Sequence, residues 1–152
     1  MEFIFYILYK CSSYLYLKIR FPNLRRLRFN GHGVAIVGAK NILVGNECYV
    51  SYLTRIYVGL NSKLVLGSRV SIGHNVRIYT VKVDSQEYIE TGSKKIIERD
   101  VVIKDDVIIG GNVYIGPGVT ICSNVIIGAN SVVASSLNES GVYSGVPARK
   151  VH

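Results

Sequence analysis

The dominant signal along the chain is an aliphatic residue at every sixth position. It runs through Val44, Val50 and Ile56, resumes at Leu66, Ile72 and Ile78, and continues at Ile97, Ile103, Ile109, Ile115, Ile121, Ile127 and Val133. Four residues after these comes a second, mostly aliphatic set that includes Val70, Val76, Val101, Val107, Val113, Val119 and Val125. Glycine directly follows the first aliphatic at positions 45, 67, 73, 110, 116 and 128. A period of six does not map onto a helical turn, and β-branched residues hold places where Ala, Glu and Lys would favour a helix. A plain alternating strand is excluded as well, because turn-tolerant Gly and Asn recur inside the hexads. The pattern predicts short strands separated by corners, with the first aliphatic of each hexad pointing into a shared core. Three such sides close a triangular coil of eighteen residues. Successive coils then stack as parallel strands about 4.8 Å apart.

Two breaks interrupt the period. Four extra residues lie near 62–65, and thirteen, about 84–96, separate Val83 from Ile97. A solenoid accommodates an insertion as a loop thrown out from a corner, where function is commonly carried. The expected organisation is an N-terminal helical segment over 1–30, a β-helix domain over 31–138 with the loop 84–96, and a C-terminal cap over 139–152.

Composition sharpens the two ends. The chain has 152 residues, 49% hydrophobic and 18% charged, which describes one folded domain and excludes a disordered polypeptide. The net charge of +8 is uneven, since residues 1–30 hold six bases and one acid. A nucleic-acid module would spread its charge over the folded body, so no nucleic-acid partner is expected. The same thirty residues carry eight of the fifteen aromatics, with Tyr6, Tyr9, Tyr14 and Tyr16 interleaved with Lys10, Lys18, Arg20, Arg25, Arg26 and Arg28. They read as one or two helices from about Phe3 to Leu27, divided at Pro22. Two roles stay open for residues 1–28. One is an interfacial helix on an anionic membrane surface; the other is a cap whose apolar face packs on the first coil.

No stretch reaches the ~18 uncharged apolar residues of a membrane span, and a signal-peptide pattern is missing. The expected location is therefore cytoplasmic, peripheral on the inner membrane face if the interfacial role holds. Cys11, Cys48 and Cys122 show no metal-ligand spacing, and His32, His74 and His152 are scattered, so no metal site is expected.

The hexads LGSRVS, IGHNVR, IGGNVY, IGPGVT and IGANSV, with the closing SGVPARKV, resemble the hexapeptide-repeat acyltransferases over residues 34–151. The resemblance is greatest to small saccharide and antibiotic O-acetyltransferases. It implies an all-β fold, a left-handed parallel β-helix, although the general rule for parallel crossovers favours the other hand. It also implies a homotrimer, acetyl-CoA as co-substrate and a saccharide acceptor, in surface polysaccharide biosynthesis. By the same resemblance Gly128, Ala129, Ser131, Arg149 and Lys150 contact coenzyme A, the two bases suiting its phosphates. Counting by eighteen places Thr80, Gly111 and Ala129 on one corner, a track without bulk for the pantetheine arm.

The base is where the chain departs from these relatives. Their strand into the loop ends Tyr-Thr-x-x-His-Asp; here it reads Tyr79, Thr80, Val81, Lys82, Val83, Asp84, with valine in the place of the histidine. Ile108 replaces a bulky aromatic, a second departure. Among the three histidines, His74 at a hexad corner is the catalytic candidate, with Asp105 expected one coil away at about 5 Å to orient it. Cys122, at a repeat glycine position, is a remote nucleophile candidate beside its plainer reading as a small turn residue. A non-catalytic trimeric scaffold is the alternative function, and the absent histidine is its evidence.

Overall fold

The computed structural model describes residues 2–152, except for the side chains of residues 2–6, 8–10 and 13. Three parallel sheets form the sides of a prism. The first holds Leu27–Asn30, Cys48–Ser51, Ser71–Ile72, Ile108–Ile109, Val125–Ile127 and Gly141–Ser144, closed by the antiparallel strand Arg149–Lys150. The second holds Ala35–Val37, Arg55–Tyr57, Arg77–Tyr79, Tyr114–Ile115 and Val132–Val133. The third holds Ile42–Val44, Leu64–Leu66, Val101–Ile103 and Thr120–Ile121. Each strand is only two to four residues long, because the hexad devotes its remaining positions to the corner.

The periodic aliphatics fill the prism. Ile72, Ile78, Ile109, Ile115, Ile121 and Ile127 are all buried, as are the second-set valines at 70, 76, 101, 107, 113, 119 and 125. At ~1.5–3 kcal/mol for each fully buried aliphatic, this column dominates the favourable side of folding. Corners carry left-handed backbone at Leu53, Asn75, Asn112 and Asn130 along one edge, and at Glu47, Arg69, Asp106 and Asn124 along another. Asparagine tolerates that conformation better than most residues. Asn75 donates to Asn112 at 2.8 Å and Asn112 to Asn130 at 3.1 Å, a ladder that ties three coils along the first of these edges.

Both insertions sit at the same corner, between the second and third sheets. The larger is not an irregular loop over 84–96. It is an arm in which Val81–Val83 pairs antiparallel with Ile96–Glu98 around the helix α2, Ser85–Thr91. Its length also differs from the expectation, since equivalent residues across it are 37 apart where uninterrupted coils give 18. Ile97 accordingly belongs to the arm, opposite Lys82, and not to the core repeat. One extra hexad is consumed, so every position after the arm lies one prism side away from where an eighteen-residue count puts it.

The N-terminal boundary shifts as well. Helix α1 spans Glu2–Arg20 and a short turn spans Pro22–Leu24, but Leu27–Asn30 is already a strand of the first sheet. The alternation of Leu27 and Phe29 inward with Arg28 and Asn30 outward is a strand pattern, and it overrides the helical expectation to Leu27. Segment 139–152 supplies a strand and a final antiparallel turn of chain at the other end.

Candidate functional site

The corner that bears the arm is also the most polar part of the interior. Thr80 and Ser62 are buried, their hydroxyls 2.7 Å apart, and the Thr80 hydroxyl accepts the Gly59 N–H at 2.9 Å. Glu98, on the returning arm strand, accepts the Asn61 N–H at 2.7 Å and the Ser62 hydroxyl at 3.3 Å. Asp100 accepts the Lys63 N–H at 2.7 Å. The shorter insertion therefore clamps the base of the longer one. Thr80 belongs to this clamp and not to the corner of Gly111 and Ala129, a direct result of the extra hexad.

Beyond the clamp the arm is apolar. Val83, Ser85, Tyr88, Ile89 and Lys94 line a groove of about 430 Å³. Asp84 caps α2 by accepting the N–H groups of Gln86 and Glu87 at 3.2 and 3.4 Å, which engages the carboxylate beside the valine. None of these five lining residues carries a carboxylate or an imidazole.

His74 and Asp105 are not brought together. His74 lies at the corner between the first and second sheets, its ring stacked on Tyr52 at 5.3 Å and covering Gly111, where a Cβ would come within 2.5 Å of the imidazole. Asp105 lies at the corner between the third and first sheets, accepting the Ser68 N–H at 2.7 Å. The same displaced count caused this error, as residue 74 registers with 111 and residue 105 with 68.

The coenzyme candidates divide. Gly111 is buried under His74, which interrupts the small-residue track. Ser131 is also buried; its hydroxyl donates to the Gly128 carbonyl at 2.7 Å and accepts the Gly145 N–H at 3.1 Å, so it pins the C-terminal segment and offers nothing outward. Gly128 is half-buried against Ser144, and Ala129 is exposed. Arg149 is exposed with one N–H donated to the Ala148 carbonyl, whereas Lys150 is paired with Glu139 at 2.9 Å. Ala129, Gly128 and Arg149 keep the character a coenzyme contact needs. Cys122 is half-buried with its thiol toward the Ser123 carbonyl, and burial pushes the Cys48 thiol up.

Sequence reasoning passed over a tyrosine ladder on the outside of the second sheet. Tyr57 meets Tyr79 edge to face at 6.3 Å, and Tyr79 meets Tyr114 at 5.7 Å. Burial, and then the neighbouring Tyr79, push the Tyr114 phenol up. Tyr57 and Tyr79 each directly follow a periodic isoleucine, 22 residues apart across the four-residue insertion, so the repeat itself carried the signal for this register.

No curated protein matches the chain in sequence. The family model described as bacterial transferase hexapeptide (six repeats) matches residues 100–135. Among solved structures, a hexapeptide-repeat acetyltransferase of Vibrio cholerae O1 biovar eltor, complexed with acetyl coenzyme A, is 25% identical with a TM-score of 0.73, covering 93% of this chain and 76% of that one. A maltose O-acetyltransferase from Clostridium difficile 630 is 27% identical with a TM-score of 0.67, covering 91% and 84%. An N-acyltransferase from Bacillus cereus, as a point mutant in complex with dTDP and coenzyme A, shares the fold at 24% identity and a TM-score of 0.64, covering 91% of this chain and 87% of that one. On repeat sequence and architecture together, this chain has the left-handed parallel β-helix fold and is similar to hexapeptide-repeat acetyltransferases.

Proposed function

We propose that the protein is an acyltransferase that moves an acetyl group from acetyl-CoA to a sugar hydroxyl, in the assembly of a surface polysaccharide. The observation that carries the reading is the match of 93% of the chain to a β-helix acetyltransferase complexed with acetyl coenzyme A. Ala129 and Gly128 leave the corner between the first and second sheets open to a pantetheine arm, and the Arg149 guanidinium suits a phosphate. In a ternary complex the acceptor hydroxyl gives up its proton as its oxygen attacks the thioester carbonyl, the tetrahedral oxyanion collapses with cleavage of the C–S bond, and the departing coenzyme A thiolate takes up the proton, leaving the sugar ester and the free thiol. Mass-spectrometric detection of CoA-dependent acetylation across a panel of sugars tests the assignment. Absence of both transfer and saturable acetyl-CoA binding overturns it.

Val83 favours a second reading, a scaffold that keeps the fold and coenzyme binding without turnover. Its signature is acetyl-CoA binding with no transfer to any acceptor.

A groove on one prism leaves a long ligand half exposed, so the active unit in this proposal is a homotrimer whose neighbouring prisms enclose it. Light scattering is expected to give three times the chain mass, and a monomeric mass refutes the assembly.

Helix α1 supplies the membrane part of the proposal. Leu17 is buried at 4% exposure, while Leu15, Tyr16 and Ile19 are 59%, 62% and 71% exposed, so the helix is tethered near its end and is not a fully packed cap. The side chains of Tyr6, Tyr9 and Lys10 lie outside the described residues. No helix among the described residues is long and apolar enough to cross a membrane. Exposed apolar groups beside Arg20, Arg25, Arg26 and Arg28 fit an anionic surface at the cytoplasmic face. Deleting residues 1–20 is expected to abolish sedimentation with anionic liposomes; an intact protein that stays in the supernatant removes this part.

A further inference from the structure

The outer face of the second sheet carries two arginines whose placement the fold does not explain. Arg55 and Arg77 are exposed register partners on adjacent parallel strands. Backbones in that relation lie about 4.8 Å apart, and like charges directly opposite each other destabilise a sheet. Among the described residues no carboxylate comes within 4.0 Å of either guanidinium. The contrast with the corner between the third and first sheets is informative. There Arg69 is met by both carboxylate oxygens of Asp106 at 2.5 and 2.7 Å.

The neighbours of the pair narrow the ligand. Tyr57 and Tyr79 stand two residues further along the same strands, on the same face. Tyr57 is 46% exposed, and its near-perpendicular packing on Tyr79, at 80°, spares ring surface from mutual stacking. A tyrosine ring offers a rigid apolar face with a polar rim, which suits the C–H face and hydroxyl edge of a sugar ring. A guanidinium fork matches a planar carboxylate or a phosphate. Tyr79 directly precedes Thr80 in the arm clamp, so a molecule lying on this face reaches the base of the arm.

We propose that Arg55, Arg77, Tyr57 and Tyr79 form a binding platform for an acidic saccharide, the arginines holding its carboxylate or phosphate and the tyrosines its ring. That this saccharide is the acetyl acceptor rests on the acyltransferase reading above; the binding itself does not.

Isothermal titration of the full chain with trigalacturonate, and with neutral galactotriose as its uncharged counterpart, is the test. The expected result is at least about tenfold tighter binding of the uronate, lost in Arg55→Gln and in Arg77→Gln and weakened by salt. Tyr57→Ala is expected to weaken both sugars. Thermal melts guard against misfolding, because removing one member of a repelling pair leaves the melting temperature unchanged or raises it. Equal affinity for the two sugars overturns the proposal. So does a marked fall in melting temperature in both arginine variants, which would make the pair structural. Displacement of the uronate by coenzyme A, with Arg77→Gln weakening coenzyme A equally, reassigns the arginines to the donor's phosphates and also overturns it. Because the readout is binding, loss of the acyltransferase reading leaves this result intact.

Discussion

Replacing Val83 by histidine is expected to raise acetyl transfer by about 10²- to 10⁴-fold, the usual contribution of a positioned general base. Val83 ends the outgoing arm strand, is 40% exposed and faces a groove whose other residues leave room for an imidazole. Its antiparallel partner is Ile96, so the backbone that would carry the new side chain is held by the arm's own pairing. Exposure keeps the cost in stability small, and the comparison between variant and parent reports chemistry and not folding. A gain of this size marks the chain as a binding-competent protein with slow or absent natural turnover. No gain, with natural transfer lost in His74→Ala, places the base at His74 instead. In that event the imidazole acts without a carboxylate orienter, since Asp105 stands at another corner.

The second large effect is on stability. Ile109→Ala is expected to cost ~2–5 kcal/mol, measured by denaturant unfolding with an unchanged slope. Ile109, Ile115 and Ile121 are successive inward residues of one coil, one from each sheet, and none is more than 2% exposed. Their backbones are fixed by ladders to the coils on both sides, including the Gly110 N–H to the Ile127 carbonyl at 2.8 Å and the Gly73 N–H to the Ile109 carbonyl at 2.8 Å. A prism so tied collapses poorly onto a vacancy, which places the loss toward the upper part of the range. A cost below ~1 kcal/mol would show that the coil relaxes and that the layers are less rigid than the ladders imply.

The strand-and-corner architecture was legible because a six-residue period has one economical solution, and the buried isoleucines confirm it position by position. What periodicity could not supply was phase across an insertion. Ile97 satisfies the hexad pattern by chance of composition, yet it pairs with Lys82 in the arm. Accepting it as core rotated every later residue by one side of the prism, which produced the false pairing of His74 with Asp105 and the false stacking of Thr80 on Gly111. The arm's helix was missed as well: Asp84 with Glu87 three residues on is a helix start on its own terms, but the segment's polar composition reads as a loop. The site suffered more than the fold, because a core position tolerates any aliphatic whereas a site requires two named residues to meet.

The antiparallel closure of the arm bears on how the chain folds. An ordinary coil brings together residues 18 apart, but the coil containing the arm must join residues 37 apart. For a featureless loop, each doubling of length costs only about 0.6 kcal/mol in closure entropy. Here even that is reduced, since Val83 and Ile96 meet within the arm and present its two stems side by side. A self-closing excursion of this kind is nearly invisible to the growing prism. The corner can therefore exchange one arm for another, with new lengths and linings, while the stack of coils above and below assembles as before.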